Sequence, residues 1–170
     1  IIYIARNPLD VCVSSYYNSK NFYFNGTIEE YCKLFLHGLV YAGPYFEHVL
    51  TYWKLRNQSN VLFLKYEDIK QDTGKVIQQI ASFLGNMIPD EKMPTLQEHL
   101  SFESIKNNDA VNGKYFHEIM KQLGKTKPIT PFIRSGKVGG YKEELPQEYL
   151  EIFKKWMEKE LETTGLTFKV

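Results

Sequence analysis

Arginine, cysteine and long apolar runs are all scarce in this chain. No stretch approaches the ~18 uninterrupted apolar residues that span a bilayer, so no transmembrane helix is expected. The 21 Lys+Arg against 20 Asp+Glu leave a formal charge of +1, without the basic excess that a nucleic-acid partner requires. A disordered tail is excluded too, because 43% of the residues are hydrophobic and 15% aromatic at low net charge. Cys12 and Cys32 are the only cysteines. Both fall in predicted helices and outside any Cys-x-x-Cys spacing, which argues against a disulfide framework and for a reducing compartment. His37, His48, His99 and His117 form no metal-ligand spacing. The paired acids Glu29-Glu30, Glu67-Asp68 and Glu143-Glu144 read as capping or solvated charges. No nucleophile elbow, Walker A loop, zinc-protease motif or EF-hand loop is present.

What is present is one domain's worth of chain, 170 residues, with no internal repeat and no low-complexity linker. Ile1 to Ala5 is a continuous apolar run that suits a strand buried on both faces of a parallel sheet. Asn7 as N-cap, Pro8 at the first helical position and Asp10 in the first turn predict a helix from about Pro8 to Asn18. Residues 19 to 26 read as a polar and aromatic loop. Asn25-Gly26-Thr27 and Asn57-Gln58-Ser59 match the glycosylation triplet, but Thr27 with Glu30 is better read as a capping box. Behind that box Tyr31, Leu34, Phe35 and Leu39 form an apolar stripe.

A further helix after Gly43-Pro44 carries Phe46, Val49, Leu50 and Trp53 on one face. Val61 to Leu64 is a second strand. The next helix buries Val76, Ile77, Ile80, Phe83 and Leu84 and is capped by Gly85. Asp90 to Leu100 predicts one or two short helical turns, and Ser101 caps another. Residues 107 to 136 lack clear periodicity, and the stretch from Thr130 to Gly140 is a glycine-punctuated loop. Gln147 to Leu161 returns to an amphipathic helix.

This order predicts an α/β fold, a parallel sheet flanked by helices. Two strands are few for such a sheet. The chain also opens inside a strand, without Met or a signal peptide, and together these features predict the C-terminal part of a longer domain.

Arginine occurs only at Arg6, Arg56 and Arg134. Arg6 follows the first strand at the carboxyl edge of the sheet, where α/β proteins place ligands. The helix N-terminus behind it favours a phosphate or sulfate, and Ser14 lies two turns further along. Arg134 stands beside Gly136, whose missing side chain lets the backbone approach an anion. Arginine grips phosphate through a planar fork that lysine cannot copy. Taken singly, an arginine after a strand is more often a solvated or salt-bridged surface residue, and a glycine-rich loop is often only a turn. Tyr66 and Phe102 are equally at home as core residues.

Four segments together carry a resemblance. Tyr3-Ile4-Ala5-Arg6-Asn7-Pro8-Leu9-Asp10-Val11-Cys12-Val13-Ser14 resembles the 3′-phosphate-binding segment of the cytosolic sulfotransferases. Leu64-Lys65-Tyr66-Glu67-Asp68 resembles that family's LxYED turn, and Ser101 to Asn108 its SFxxMKxN segment. Arg134-Ser135-Gly136-Lys137-Val138-Gly139-Gly140-Tyr141-Lys142 is similar to its RKGxxGDWK segment. All four occur in the family's order and at about its spacing, and they cover nearly the whole chain.

The resemblance implies a P-loop NTPase-like sulfotransferase fold, with residues 1 to 170 as the C-terminal portion of a single domain and the N-terminal part missing. It implies a cytoplasmic enzyme that transfers a sulfuryl group from 3′-phosphoadenosine 5′-phosphosulfate (PAPS) to a hydroxyl or amine of a small acceptor. The product would be adenosine 3′,5′-bisphosphate (PAP), and no metal, membrane or nucleic acid would be involved. Arg6 and Ser14 would hold the 3′-phosphate, with Arg134, Ser135 and Gly136 closing over it. Tyr66 would touch the adenine, and Ser101, Phe102 and Ile105 would line its pocket.

The catalytic His and the loop for the 5′-phosphosulfate would lie upstream, so these residues alone are expected to be inactive and poorly folded. Ser135 replaces the family's Lys, Leu100 its Thr, and Gly140-Tyr141 its Asp-Trp. Glu143 to Pro146 departs from the family's dimerisation motif, which leaves a homodimer open. Phe22, Tyr23, Phe24, Tyr115 and Phe116 could wall an acceptor pocket. The competing reading is a non-catalytic anion-binding or interaction module of the same fold. A nucleotide kinase is disfavoured, because neither a phosphate loop nor a paired-Asp metal site is visible.

Overall fold

A computed structural model describes residues 1–124 and 130–169, apart from the side chain of His117. The first strand, β1 (Ile2–Ala5), pairs in parallel with β2 (Leu62–Lys65), Ile2 opposite Leu62 and Ala5 opposite Lys65. Three helices cross between them: α1 (Pro8–Phe22), α2 (Ile28–Leu36) and α3 (Tyr45–Lys54). After β2 come α4 (Tyr66–Gln71), α5 (Thr73–Phe83), a 3-10 turn (Asp90–Lys92), α6 (Met93–His99), α7 (Phe102–Lys106) and α8 (Lys114–Gln122). The chain ends with α9 (Tyr141–Glu144), α10 (Gln147–Leu161) and an extended tail.

The helix starts follow local chemistry. Asn7 Oδ1 accepts the Leu9 N–H at 2.9 Å, and Pro8 occupies the first turn of α1, where its missing N–H costs nothing. Thr27 and Glu30 form the reciprocal box that opens α2. Asp72 caps α5 through the Lys75 N–H at 2.9 Å. Gly85 follows α5 with φ +73°, the left-handed stop that glycine adopts most readily.

The core lies where α1, α2 and α10 meet, around Cys12, Val13, Tyr31, Cys32, Phe35 and Phe153. Cys12 and Cys32 remain free thiols, their Sγ atoms 3.8 Å apart. The tail completes this core by burying Leu166 and Phe168. It is tied down by Trp53 Nε1–H donating to the Thr164 carbonyl at 2.8 Å and Asn7 Nδ2–H donating to that of Lys169 at 2.9 Å.

Several expectations are corrected. The described residues cover β1 on one face only. Tyr3 stacks on Tyr52 and Phe63 at 4.3 and 5.3 Å, whereas Ile2 and Ile4, on the opposite face of the pleat, are 40% and 50% exposed. Helix α1 runs on to Phe22 instead of stopping near Asn18, because Ser19 and Asn21 are buried with polar partners: Ser19 Oγ meets the Tyr31 hydroxyl at 3.0 Å, and Asn21 bonds both backbone groups of Thr130 at 2.8 and 2.9 Å. Helix α8 appears in the stretch read as aperiodic. Leu39 and Leu84 are exposed, since α2 and α5 end before reaching them. Of that aperiodic stretch, residues 125–129 lie outside the described residues.

Candidate anion-binding site

The β1–β2 register sets Arg6 and Tyr66, the residues that follow Ala5 and Lys65, side by side at the carboxyl edge of the sheet. The Arg6 guanidinium lies 4.5 Å over the Tyr66 ring. Its Nη2–H donates to the Lys137 carbonyl at 2.9 Å, and Nη2 is 3.7 Å from the Asp10 carboxylate. Arg6 Nε is a buried donor that lacks a partner among the described residues. Burial holds the Tyr66 phenol above its usual pKa, with the Arg6 charge opposing. The Tyr66 hydroxyl donates to the Gly136 carbonyl at 3.2 Å.

Asp10 is buried and bridges α1 to the glycine loop, accepting the N–H groups of Gly139 and Tyr141 at 2.8 and 3.2 Å. Gly136 itself has φ +60°, and a Cβ there would stand 2.5 Å from Phe102 Cδ2. The absence of a side chain at 136 is therefore what lets the Phe102 ring lie against the loop.

Arg6, Ser14 and Arg134 converge on one cavity of about 250 Å³ together with Tyr17, Asn18 and Asn21. Its floor is the flank of α1, where Val11, Ser14, Ser15 and Asn18 share a face at helical spacing. The cavity is not at the N-terminus of α1: the Leu9 N–H is taken by Asn7, and the Asp10 carboxylate sits in the first turn. The Arg134 fork is gripped by Glu144, Nη1 to Oε2 at 3.0 Å and Nη2 to Oε1 at 2.8 Å, and its Cζ lies 4.3 Å over the Tyr17 ring. Burial, and then the Glu144 carboxylate, hold the Tyr17 phenol above its ordinary pKa.

The other expected residues are placed less directly. Ser135 and Gly136 are partly buried in the loop and do not line the cavity. Ser101 spends its Oγ capping the Ser104 N–H at 3.1 Å, and Ile105 is partly buried on the same short helix. An adjoining cavity of about 380 Å³ shares Asn18, Asn21 and Phe132 and adds Phe22, Val111 and Phe116. Of the aromatic wall anticipated for an acceptor, Phe22 and Phe116 line this space, their centroids 5.0 Å apart. Phe24 packs instead against Tyr31 at 5.1 Å, while Tyr23 and Tyr115 are exposed. A larger, mainly apolar groove of about 880 Å³ along α10 and the tail contains none of the candidate residues.

Asp10, Tyr17 and Glu144 were not anticipated as parts of the site. Asp10 had a local explanation as a first-turn acid. Glu144 is ten residues from Arg134, too far for any local pattern to pair them. The cavity wall holds two guanidinium groups, hydroxyls and amides, and no acid or histidine among its described residues. That donor set suits binding an anion rather than moving a proton.

A parallel sheet flanked by helices, with Arg6 just beyond its first strand, defines an α/β protein. The family is known more closely. The sulfotransferase domain family matches residues 1–165, and the chain belongs to that family. It is 38% identical over 168 residues to luciferin sulfotransferase of Photinus pyralis, covering 95% of this chain and 44% of that one. It is 38% identical to sulfotransferase 1B1 of Mus musculus, covering 99% of this chain and 56% of the relative. The structure matches that of retinol dehydratase in complex with androsterone and inactive cofactor PAP, with a TM-score of 0.91, 37% identity, and coverage of 98% of this chain and 48% of the other. It matches a mouse sulfotransferase complexed with PAP with a TM-score of 0.78, 30% identity, and coverage of 96% and 58%. The chain thus spans about half the length of the relatives it matches. None of its described helices is long and apolar enough to cross a membrane.

Proposed function

We propose that the protein transfers a sulfuryl group from PAPS to a hydroxyl or amine of a small acceptor in the cytoplasm, and that residues 1 to 170 are the C-terminal portion of its sulfotransferase domain. The observation that carries this reading is the convergence of Arg6, Ser14 and Arg134 on one cavity, beside an Arg6 Nε–H that is buried without an acceptor among the described residues. A buried donor of this kind is costly unless a ligand completes it, and a 3′-phosphate oxygen offers the right charge. The relatives' names and the PAP in the neighbouring structures support the nucleotide assignment.

In this reading Arg6 and Ser14 hold the 3′-phosphate from the strand end and the flank of α1, and Arg134 reaches it from the loop. Ser135 and Gly136 close over the phosphate beside Arg134, while Tyr66 and Phe102, held against Gly136, offer ring faces to the adenine, with Ser101 and Ile105 at its margin. PAPS, when bound, supplies the sulfuryl group and leaves as PAP. The residues here bind and orient it. None of them is assigned the acceptor's proton. The apolar cavity around Phe22, Phe116 and Phe132 suits the body of the acceptor.

The test is calorimetric titration of PAP and of adenosine 5′-phosphate into the protein expressed from its complete coding sequence, beside a sulfate-transfer assay with phenols, alcohols and amines. PAP should bind more tightly than the monophosphate. Arg6→Ala should weaken PAP binding about tenfold to a hundredfold, the range for losing charge-assisted hydrogen bonds. Unchanged binding in that variant would refute the assignment. Binding without transfer to any acceptor would instead favour the non-catalytic module.

A further inference from the structure

We infer that Glu144 is a positioning residue which, acting through Arg134, sets the affinity of the site for the 3′-phosphate. The inference rests on the nucleotide reading above. Arg134 sits in a glycine-punctuated loop, where a long side chain would otherwise sample many rotamers. Two contacts remove that freedom. The Glu144 carboxylate takes the end of the fork in a bidentate pair at 2.8 and 3.0 Å, and the Tyr17 ring supports the flat face at 4.3 Å.

The arrangement has a direction. Arg134 and Tyr17 line the cavity and Glu144 does not, so the carboxylate holds the guanidinium from behind rather than occupying the place of the anion. The bidentate pair uses one N–H of each Nη, leaving the outer N–H groups and Nε–H for a ligand. Glu144 is itself anchored. It ends α9, whose first residue, Tyr141, donates its N–H to Asp10 on α1, and the next residue, Leu145, is buried. Helix α1 therefore supplies Ser14 and Tyr17 directly and fixes Glu144 through Asp10. Ser135 cannot supply a second charge beside Arg134, which makes the orientation of that one guanidinium matter more.

A positioning role differs from general support of the fold in what it spares. The experiment is titration of PAP and of adenosine 5′-phosphate into the full-length wild-type protein, Glu144→Ala, Glu144→Gln, Arg134→Ala and the double variant Glu144→Ala/Arg134→Ala, with urea midpoints for each. Glu144→Ala should weaken PAP binding about tenfold, the lower end for a charge-assisted contact, and leave the monophosphate nearly unchanged. Glu144→Gln, which can accept from only one arm of the fork, should fall between. Adding Glu144→Ala to Arg134→Ala should change nothing further.

Equal losses for both nucleotides, an undiminished effect in the Arg134→Ala background, or tighter PAP binding would each overturn the inference. If Glu144→Ala does not fold, the near-isosteric Glu144→Gln makes the same comparison. A wild-type protein that binds PAP no better than the monophosphate would overturn the nucleotide reading itself, and this inference with it. A wild-type preference for PAP that is undiminished in Glu144→Gln and Glu144→Ala would overturn only the inference.

Discussion

Two regions of the molecule are built to different densities. Around α1, α2 and α10 the side chains of Cys12, Tyr31, Cys32 and Phe153 are almost completely buried, and aromatic rings meet from three helices. From Leu84 to Gly124, which includes α6, α7 and α8, no described residue is buried. The candidate site straddles the two. Arg6 and Ser14 belong to the dense region, and Arg134 is locked to it through Asp10 and Glu144. Ser101, Phe102 and Ile105 belong to the thin one. The comparison teaches that the part of the site proposed for the phosphate is preorganised by the core, whereas the part proposed for the base is carried on short helices with little packing of their own. Low local packing is where opening free energies are smallest.

The largest expected effect tests the density directly. Phe153 is fully buried, with Phe35 at 5.9 Å and Trp156 at 5.7 Å between ring centroids. Phe153→Ala should cost about 3–5 kcal/mol through lost transfer energy and a residual cavity. Leu96→Ala, on partly buried α6, should cost about 1 kcal/mol or less. Urea denaturation of both variants gives the comparison, and similar losses would erase the distinction between the regions.

A smaller effect joins the regions. Gly136→Ala places a methyl 2.5 Å from Phe102 Cδ2 at a residue with φ +60°, so it meets both a ring and a backbone conformation that costs about 1–3 kcal/mol for other residues. The Phe102 ring must move, and the bond from the Tyr66 hydroxyl to the Gly136 carbonyl is strained with it. PAP binding should weaken along with stability. Removing the ring by Phe102→Ala in the Gly136→Ala background should recover the part due to the clash, giving a sub-additive double-mutant cycle. Strict additivity would mean that the loop and α7 are energetically independent.

Much of this was legible in the sequence where local chemistry and burial agree. The Thr27/Glu30 box and the stripe of α10 each have a local cause that the fold respects. The misses share a different cause. Ser19 and Asn21 look like loop residues until Tyr31 and Thr130 provide the partners that let them be buried. Helix α8 opens on Gly113 in the left-handed region, and it is Asn112, one residue earlier, whose Oδ1 accepts the Lys114 N–H, an offset from the usual N-cap pattern that hides the start. Arg6 and Arg134 could be nominated as site residues because each stands at a turn suited to anions, and Ser14 because it follows Arg6 by two turns of α1. Glu144 could not, since its significance comes from a contact across ten residues of irregular backbone.

The smallest effect is the share of the pH dependence that Tyr3 contributes on the sheet side of the dense region. Tyr3 on β1 stacks on Tyr52 and meets His48 Nδ1 at 2.9 Å through its hydroxyl. Burial, reinforced by Tyr52, pushes its pKa up to about 12, against an unfolded value of about 10. A raised folded-state pKa means the folded protein holds the phenol proton more tightly than the unfolded chain. The corresponding stability is fully present below pH ~10 and is lost as pH rises towards ~12. Because the ring is only half buried, solvent screening makes the contribution a fraction of what the shift alone implies. Tyr3→Phe keeps the stacking and removes the titration, so urea midpoints between pH 9 and pH 11.5 should fall less steeply than in the wild type. Parallel slopes would show that Tyr3 ionises freely, and that the stacked face of β1 is as open to water as the face bearing Ile2 and Ile4.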